Sequence, residues 1–448
     1  MIDELRFVLR CRPILWILAL SATLRIVFFF SLPETPSYLG PDEGTYARLA
    51  KYISEGKLVS EFPLFGPSLY YSSKSLVIPS SVLIRLGFDE IDAVRLIAST
   101  YGLTSSLLLI LCYFSFLRTR GVALKEFPDS LNLKFFMALI LFSFLPSNFI
   151  WSVLGLRESA TQFWIIASFY SLLKLWQVRK HQVWKPMLAV VLTITFSFGA
   201  RPQTSLVFCL IAVSVCLILL SRNSKIASSV CLSAVLGGLF LGLQFSSPPT
   251  VPTVPTVPTV PTVPTVPTVP TVPTVPTVPT AKLGDIAKLG DKILQGMAAS
   301  RNVKTEGANS KLKSSLCAKQ SYDFFSRLDC TISELPYYLF SFLFRPMLYF
   351  DQGTNLLLFA SIENIVWTLI LLTALWSSLK RELRGSSKFV AVSVLTYIVT
   401  FSTLAALHEG NLGTAFRHKS SILWPTVFIL LVTHKLQPNI RTLRHLTK

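Results

Sequence analysis

The sequence predicts an all-α fold, a polytopic membrane helix bundle of about ten transmembrane helices, N-in and C-in, with interfacial helices in its extracytoplasmic loops. Three observations carry that expectation. The 448 residues are 51% hydrophobic and only 15% charged, with a mean hydropathy of +0.55, where a soluble chain of this length carries more charge. Apolar runs near twenty residues recur, the length that crosses about 30 Å of hydrocarbon as a helix. Lys and Arg gather in alternate short loops, which sets the direction of threading.

In order, the runs lie at 13–32, 93–117, 134–151, 159–177, 186–200, 203–221, 226–245, 354–378, 388–407 and 420–434. Hydrocarbon offers the backbone no hydrogen-bond partners, so each is read as a helix. The first has the position of a signal peptide, but it is long and lacks a convincing small-residue cleavage site. A cytoplasmic N-terminus places Arg6, Arg10 and Arg12 inside, then Arg118, Arg120, Lys125 and Lys134, then Lys174, Arg179, Lys180 and Lys185. Arg222, Lys225, Lys380, Arg381, Arg384 and Lys388 follow on that side, with Lys435, Arg441, Arg444 and Lys448 in the tail. The opposite short loops carry little beyond Arg157, Arg201, Arg417 and Lys419. The net charge of +19 is therefore a topology signal with anionic membrane lipids beneath it. No basic–aromatic module calls for a nucleic acid.

Three regions are expected: an N-terminal transmembrane half, 1–245, with a catalytic first outer loop at 33–92; an extracytoplasmic loop, 246–335; and a C-terminal transmembrane part, 336–448. Loop 33–92 is too long for a plain connection. Within it, Tyr46, Leu49, Ala50 and Ile53 share one face, which suits a helix lying along the interface. Residues 75–87 read as a short re-entrant or interfacial piece. Residues 251–280 are ten copies of Val-Pro-Thr, a low-complexity repeat. Proline at every third position denies helix and ladder hydrogen bonds and matches polyproline II. The favoured reading is an expansion tolerated in an exposed loop; a rigid stalk with O-linked sugars on its threonines is the alternative. Repeated Ala-Lys-Leu-Gly-Asp at Ala281 and Ala287 predicts a short amphipathic helix without assignable chemistry. Residues 335–350, aromatic and interrupted by Arg345-Pro346, read as an interfacial return toward the membrane.

The seven cysteines show no metal-ligand spacing. Cys112, Cys209, Cys216 and Cys231 lie in apolar runs, as small buried hydrophobes do. Cys317 and Cys330 share an outer loop, and a disulfide between them stays open. Arg25, inside the first run, is expected to face a structural partner.

With this threading the unusual polar residues fall on one face. Asp42 and Glu43, in Pro41-Asp42-Glu43-Gly44-Thr45-Tyr46, follow the first run. Arg157 and Glu158 separate the third and fourth, Arg201 the fifth and sixth, and Arg345 precedes the eighth. His408, Glu409, Asn411, Arg417 and His418 join the ninth to the tenth. Each has an ordinary reading too: a helix cap, a surface ion pair, an arginine snorkelling to headgroups, a Gly-Asn turn. Together they suit group transfer from a lipid-linked phosphate. A carboxylate accepts the proton of an attacking hydroxyl, arginines hold a phosphate and stabilise the charge as it departs, and a histidine bonds sugar or phosphate.

The Pro41–Tyr46 stretch after the first helix resembles the Asp-Glu motif of the GT-C superfamily of integral membrane glycosyltransferases. That group includes protein O-mannosyltransferases and lipid A aminoarabinose transferases. The Arg157-Glu158 loop and the Glu409 to His418 segment look like its bacterial members. The resemblance implies that Asp42 is the catalytic base, with Glu43 orienting substrate or aiding a metal. No definite cofactor follows, and a divalent metal stays open. It also implies a polyprenyl-phosphate sugar donor whose tail lies between helices, and a glycan, lipid or protein acceptor, at the extracytoplasmic face of the cell membrane. Arg157, Glu158, Arg201, Arg345, His408, Glu409, Asn411, Arg417 and His418 are assigned to substrate or phosphate by position and chemistry. The chain departs from well-known members in lacking a large soluble C-terminal domain and in its Val-Pro-Thr insert. A polysaccharide polymerase or O-antigen ligase is the alternative, leaning on the outer arginines and a histidine. A lipid-linked sugar transporter ranks below both, because few ionisable residues sit at mid-membrane.

Overall fold

Long apolar runs can satisfy their backbone only as helices, and the computed structural model of the chain is built from them. It describes residues 2–33, 35, 42–59, 62, 66–123, 127, 131–177, 183–220, 225–246, 283–306, 311–319, 323–348, 351, 355–380 and 386–433. The Val-Pro-Thr repeat lies outside the described residues.

Helices α1 (Ile2–Arg10) and α2 (Arg12–Ser31) lead to α3 (Glu43–Ser54), α4 (Gly66–Tyr71) and α5 (Lys74–Arg85). Then come α6 (Glu90–Thr119), α7 (Leu133–Phe144), α8 (Pro146–Val153), α9 (Arg157–Gln177), α10 (Trp184–Phe198), α11 (Pro202–Leu220) and α12 (Lys225–Ser246). After the repeat follow α13 (Leu283–Glu306), α14 (Phe324–Phe344), α15 (Asn355–Lys380), α16 (Ser386–His408), α17 (Leu412–His418) and α18 (Ser420–Val432).

All ten apolar runs fall on helices. By length and composition five of these can cross a membrane alone: α2, α6, α12, α15 and α16, to within a few residues of their ends. The pair α7–α8, bent by 43° at Pro146, makes a sixth. Helices α10 and α11 are shorter apolar helices. The sequence expectation of about ten crossings thus reduces, on these criteria, to a multi-pass membrane protein with five or six clear spans.

Lipid tails are as apolar as leucine, so close packing rather than exclusion from water draws such helices together. Gly238 and Gly242, one turn apart on α12, meet α10. A Cβ at Gly242 would lie 2.4 Å from the Phe198 ring, and one at Gly238 would lie 2.8 Å from Ile194 Cβ. The apolar core runs through α6, α9, α11, α16 and α18, with Phe114, Phe142, Trp367, Trp424 and Phe428 all but fully enclosed. Cys112, Cys209, Cys216 and Cys231 are buried, as the sequence suggests. Arg25 is enclosed as well, donating to Ser152 Oγ at 3.1 Å with its guanidinium 4.9 Å above the Phe149 ring.

The bundle has two polar ends. At one, the buried Glu4 of α1 takes Lys174 of α9, Arg118 of α6 (3.4 Å) and the Tyr170 hydroxyl (3.2 Å). At the other gather Asp42, Arg157, Arg201 and the residues around His418. Helix α9 connects them, with Arg157 at its first turn and Lys174 in its last.

The segments between the long apolar helices are helical too. Helix α3 buries Tyr46, Ala47, Leu49 and Ala50, and it packs on α5 and α6 rather than lying free. The 75–87 segment is the helix α5, with Pro79 inside it. Helix α14 runs unbroken through the 335/336 boundary, so the segment after the repeat passes directly into the C-terminal part. Cys317 and Cys330 are joined in a disulfide across a separation of 13 residues. A cross-link over a loop of that size removes about 3 kcal/mol of chain entropy from the unfolded state. Replacing both cysteines by serine is therefore expected to lower unfolding free energy by about that much. An unchanged denaturation midpoint would contradict this.

Candidate functional site

Adjacent residues on a helix point about 100° apart, and this separates the two acids at the start of α3. Glu43 turns inward and is fully buried. Arg95 of α6 grips it with two hydrogen bonds, Nε to Oε1 at 2.7 Å and Nη2 to Oε2 at 3.1 Å. The Gly155 amide donates to the same Oε1 at 3.1 Å, and Arg95 Nη1 holds the Pro33 carbonyl at 2.8 Å. Glu43 therefore fastens α3 to α6 and to the turn before α9. The sequence assigns Glu43 to substrate or metal; the structure places its carboxylate, enclosed and engaged, at this joint. Asp42 turns outward. Its carboxylate is 49% exposed, and Oδ2 accepts from Arg417 Nη2 at 2.9 Å.

Behind Asp42 the charges converge on Glu158, which opens α9. Arg417 Nε lies 3.2 Å from its Oε1, Arg201 Nη1 at 3.8 Å and His418 Nε2 at 4.0 Å. Burial alone would raise the Glu158 carboxyl, but Arg417, Arg201 and Arg157 override it and hold the pKa down to about 2. Burial likewise works against charge on Arg417, yet Glu158 and Asp42 keep it cationic. Arg201, buried beside Arg157, is lowered to about 10 and stays charged at neutral pH.

A second chain of contacts runs outward. His418 Nδ1 lies 2.9 Å from Glu409 Oε1, and Arg201 Nη2 meets His418 Nε2. Burial and the neighbouring Arg201 lower the imidazole to about 4, so it is neutral at pH 7. The partners then settle the tautomer. Nδ1 faces a carboxylate and carries the hydrogen, while Nε2 faces a guanidinium and accepts. Glu409 also takes Lys304 Nζ on Oε1 at 2.9 Å. Burial by itself would raise the Glu409 carboxyl, but His418 and Lys304 hold it well below the usual range. Arg157 reaches Ser72 Oγ at 3.0 Å. Four cations (Arg157, Arg201, Arg417, Lys304) thus face three carboxylates. Among the described residues, buried Arg201 Nη1, Arg417 Nε and Glu409 Oε2 have no hydrogen-bond partner. Two of these are N–H donors, Arg417 Nε facing Glu158 Oε1 and Arg201 Nη1 farther from it, and beside a surplus of cations such donors suit an anion.

The sequence-assigned residues divide accordingly. Asp42, Glu158, Arg201, Glu409, Arg417 and His418 come together, with Arg157 at the edge. Arg345 instead pairs with Asp351, Nε to Oδ1 at 3.0 Å, while Lys419 Nζ holds its carbonyl at 2.6 Å. It closes the corner between α14 and α15, apart from the residues that gather around Glu158. Asn411 caps α17, its side-chain oxygen accepting from the Gly413 amide at 2.9 Å. His408 ends α16 immediately before Glu409. Arg95, Lys304 and Ser72 were not foreseen, because each lies in a segment without a recognisable motif.

Gly410 lets this loop settle on α13. A Cβ there would stand 2.1 Å from the Arg301 carbonyl oxygen and 2.2 Å from Thr305 Oγ1. Gly410→Ala must therefore push the loop outward, and a loss of about 1–3 kcal/mol in unfolding free energy is expected. A variant as stable as wild type would contradict the close approach.

Toward the opposite end, an apolar cavity of about 370 Å³ opens between α9, α11, α12, α16 and α18. Phe208, Ala212, Val215 and Cys216 of α11 line it, and Tyr397 and Trp424 close its upper wall. Arg201 stands immediately before α11, and Phe208, Ala212 and Val215 follow it at helical spacing, so the cavity lies along the face of α11 that continues from the cation. Among the described residues, one grouping has three metal-capable atoms within reach of a single ion: Cys317, Cys330 and Glu334. Its sulfurs are bonded to each other, so they are not thiolate ligands.

Compared with family models, curated proteins and solved structures, the chain finds no match. The functional reading accordingly rests on its own residues.

Proposed function

We propose that this protein is a membrane glycosyltransferase, of GT-C type, that moves a sugar from a polyprenyl-phosphate donor to an acceptor hydroxyl at the extracytoplasmic face of the cell membrane. One observation carries the reading: a half-exposed carboxylate, Asp42, stands in front of three arginines, of which Arg201 and Arg417 keep a buried N–H without a hydrogen-bond partner among the described residues. The acceptor oxygen attacks the anomeric carbon and passes its proton to Asp42. The bond from that carbon to the phosphate oxygen breaks, and its electron pair leaves with polyprenyl phosphate. Arg157, Arg201 and Arg417 take up the charge that develops there. The cavity along the Arg201 face of α11 suits part of an isoprenoid tail.

In this reading the chain crosses the membrane ten times from a cytoplasmic N-terminus. The Cys317–Cys330 disulfide supports an outward site, since such bonds persist in oxidising compartments. Nucleotide sugars are cytoplasmic, so an outward site needs a donor already carried across. A polymerase or O-antigen ligase would draw on the Arg201–His418–Glu409 chain, and it would tolerate the loss of Asp42.

Binding of polyprenyl monophosphate to the purified protein, followed by tryptophan fluorescence, tests the anion site. Arg201→Gln should weaken it at least about tenfold, as loss of a charge-assisted hydrogen bond does. The unphosphorylated polyprenol should bind both proteins alike. Equal affinity of variant and wild type for the phosphate would remove the proposed cradle.

A further inference from the structure

The segment after the repeat carries no motif, yet it reaches the cluster at one point. Lys304 sits in the last turn of α13, and its Nζ donates to Glu409 Oε1 at 2.9 Å. An ammonium has three N–H donors, and Glu409 takes one of them. The Lys304 side chain is 30% exposed, whereas the carboxylate it meets is 2% exposed. Arg201 and Arg157 lie close enough for their charges to act on Lys304. Lys304 therefore belongs electrostatically to the arginine cluster and opens to solvent on its outer side.

The same segment fixes the loop beneath. Arg301 is 1% exposed, its guanidinium 3.7 Å from the Tyr338 ring centroid. Its Nη1 donates to the carbonyls of Ala406 and Glu409, the latter at 2.7 Å, and its Nε to that of Lys313 at 2.8 Å. The Leu312 amide donates to the Gly410 carbonyl at 2.9 Å. Glu409 is thus held from its backbone by Arg301 and at its carboxylate by Lys304 and His418. A surface ion pair formed by chance would need none of this support.

We propose that Lys304 is a substrate-contact residue, a fourth cation that closes over the phosphate of a lipid-linked donor from the outer side. Arg301 is the positioning residue that sets the Glu409 loop beneath it. This rests on the transferase reading, and it makes the outer segment a working part of the site rather than a linker.

The test uses the full-length protein with polyprenyl monophosphate as probe and polyprenol as control. Lys304→Gln should weaken phosphate-lipid binding about tenfold, leave polyprenol binding unchanged and keep the melting temperature near wild type. Lys304→Arg should restore most of the affinity, because it keeps the charge. Wild-type affinity in Lys304→Gln, beside a clear loss in Arg201→Gln, would overturn the proposal and leave the transferase reading standing. Wild-type affinity in both variants would remove the reading and the proposal together. If Lys304→Gln lowered the melting temperature and weakened both lipids equally, Lys304 would be a structural partner of Glu409 and the proposal would fail.

Discussion

Asp42→Asn is expected to lower transfer from a polyprenyl-phosphate sugar by about 10²–10⁴-fold, the usual contribution of a positioned general base. The substitution is conservative in shape. The asparagine carbonyl can still accept from Arg417 Nη2, now 2.9 Å from Oδ2, so the link between α3 and α17 survives. Binding of the donor should change little, because its phosphate is held by the arginines behind. The loss should therefore fall on kcat rather than KM. Half of the Asp42 side chain is already exposed, so its neutral analogue creates no buried orphan. Transfer within about threefold of wild type would exclude Asp42 as base and favour the polymerase or ligase alternative.

Arg95→Met is expected to have the largest effect on stability, a loss of about 3–5 kcal/mol. It strips the enclosed Glu43 carboxylate of both hydrogen bonds from Arg95. It also releases the carbonyl of Pro33, just after α2 and nine residues before Asp42. Removing both charges, with Arg95→Met and Glu43→Leu together, should recover much of that loss, because apolar pairs often replace buried ion pairs at little cost. Chemical denaturation of the four proteins of this cycle measures the coupling directly. A single variant as stable as wild type would mean that the pair does not fasten α3 to α6. Since Asp42 begins the same helix, transfer should fall along with stability.

The all-helical architecture was legible because hydrophobic run length and the demand for backbone hydrogen bonds leave few alternatives in lipid. Every apolar run became a helix. The number of crossings was less legible, since α9 begins with Arg157 and Glu158 and α18 is only 13 residues long. At the site, charge placed beside apolar runs pointed to Asp42, Glu158, Arg201, Arg417 and His418, which the fold brings together. It did not separate residues that meet one another from those that satisfy a local need. Arg345 finds Asp351 six residues away, and Asn411 finds the first amides of its own helix. Both are short-range solutions that no spacing rule distinguishes from a long-range one. The joint that Glu43 makes was hidden for a different reason. Its partner Arg95 lies 52 residues later, inside a run read as membrane-spanning. Lys304 and Arg301 were hidden because α13 reads as an ordinary amphipathic helix until the loop that it supports is known.

The whole account requires that the polar end of the bundle face away from the cytosol. Lys57, exposed just beyond α3, offers a direct report of which side that is. In sealed cells expressing Lys57→Cys, a membrane-impermeant maleimide should label the protein without permeabilisation, while Cys11 at the opposite end should react only after it. Labelling of residue 57 solely in permeabilised cells would put Asp42 and the arginines in the cytosol and contradict the proposed transfer.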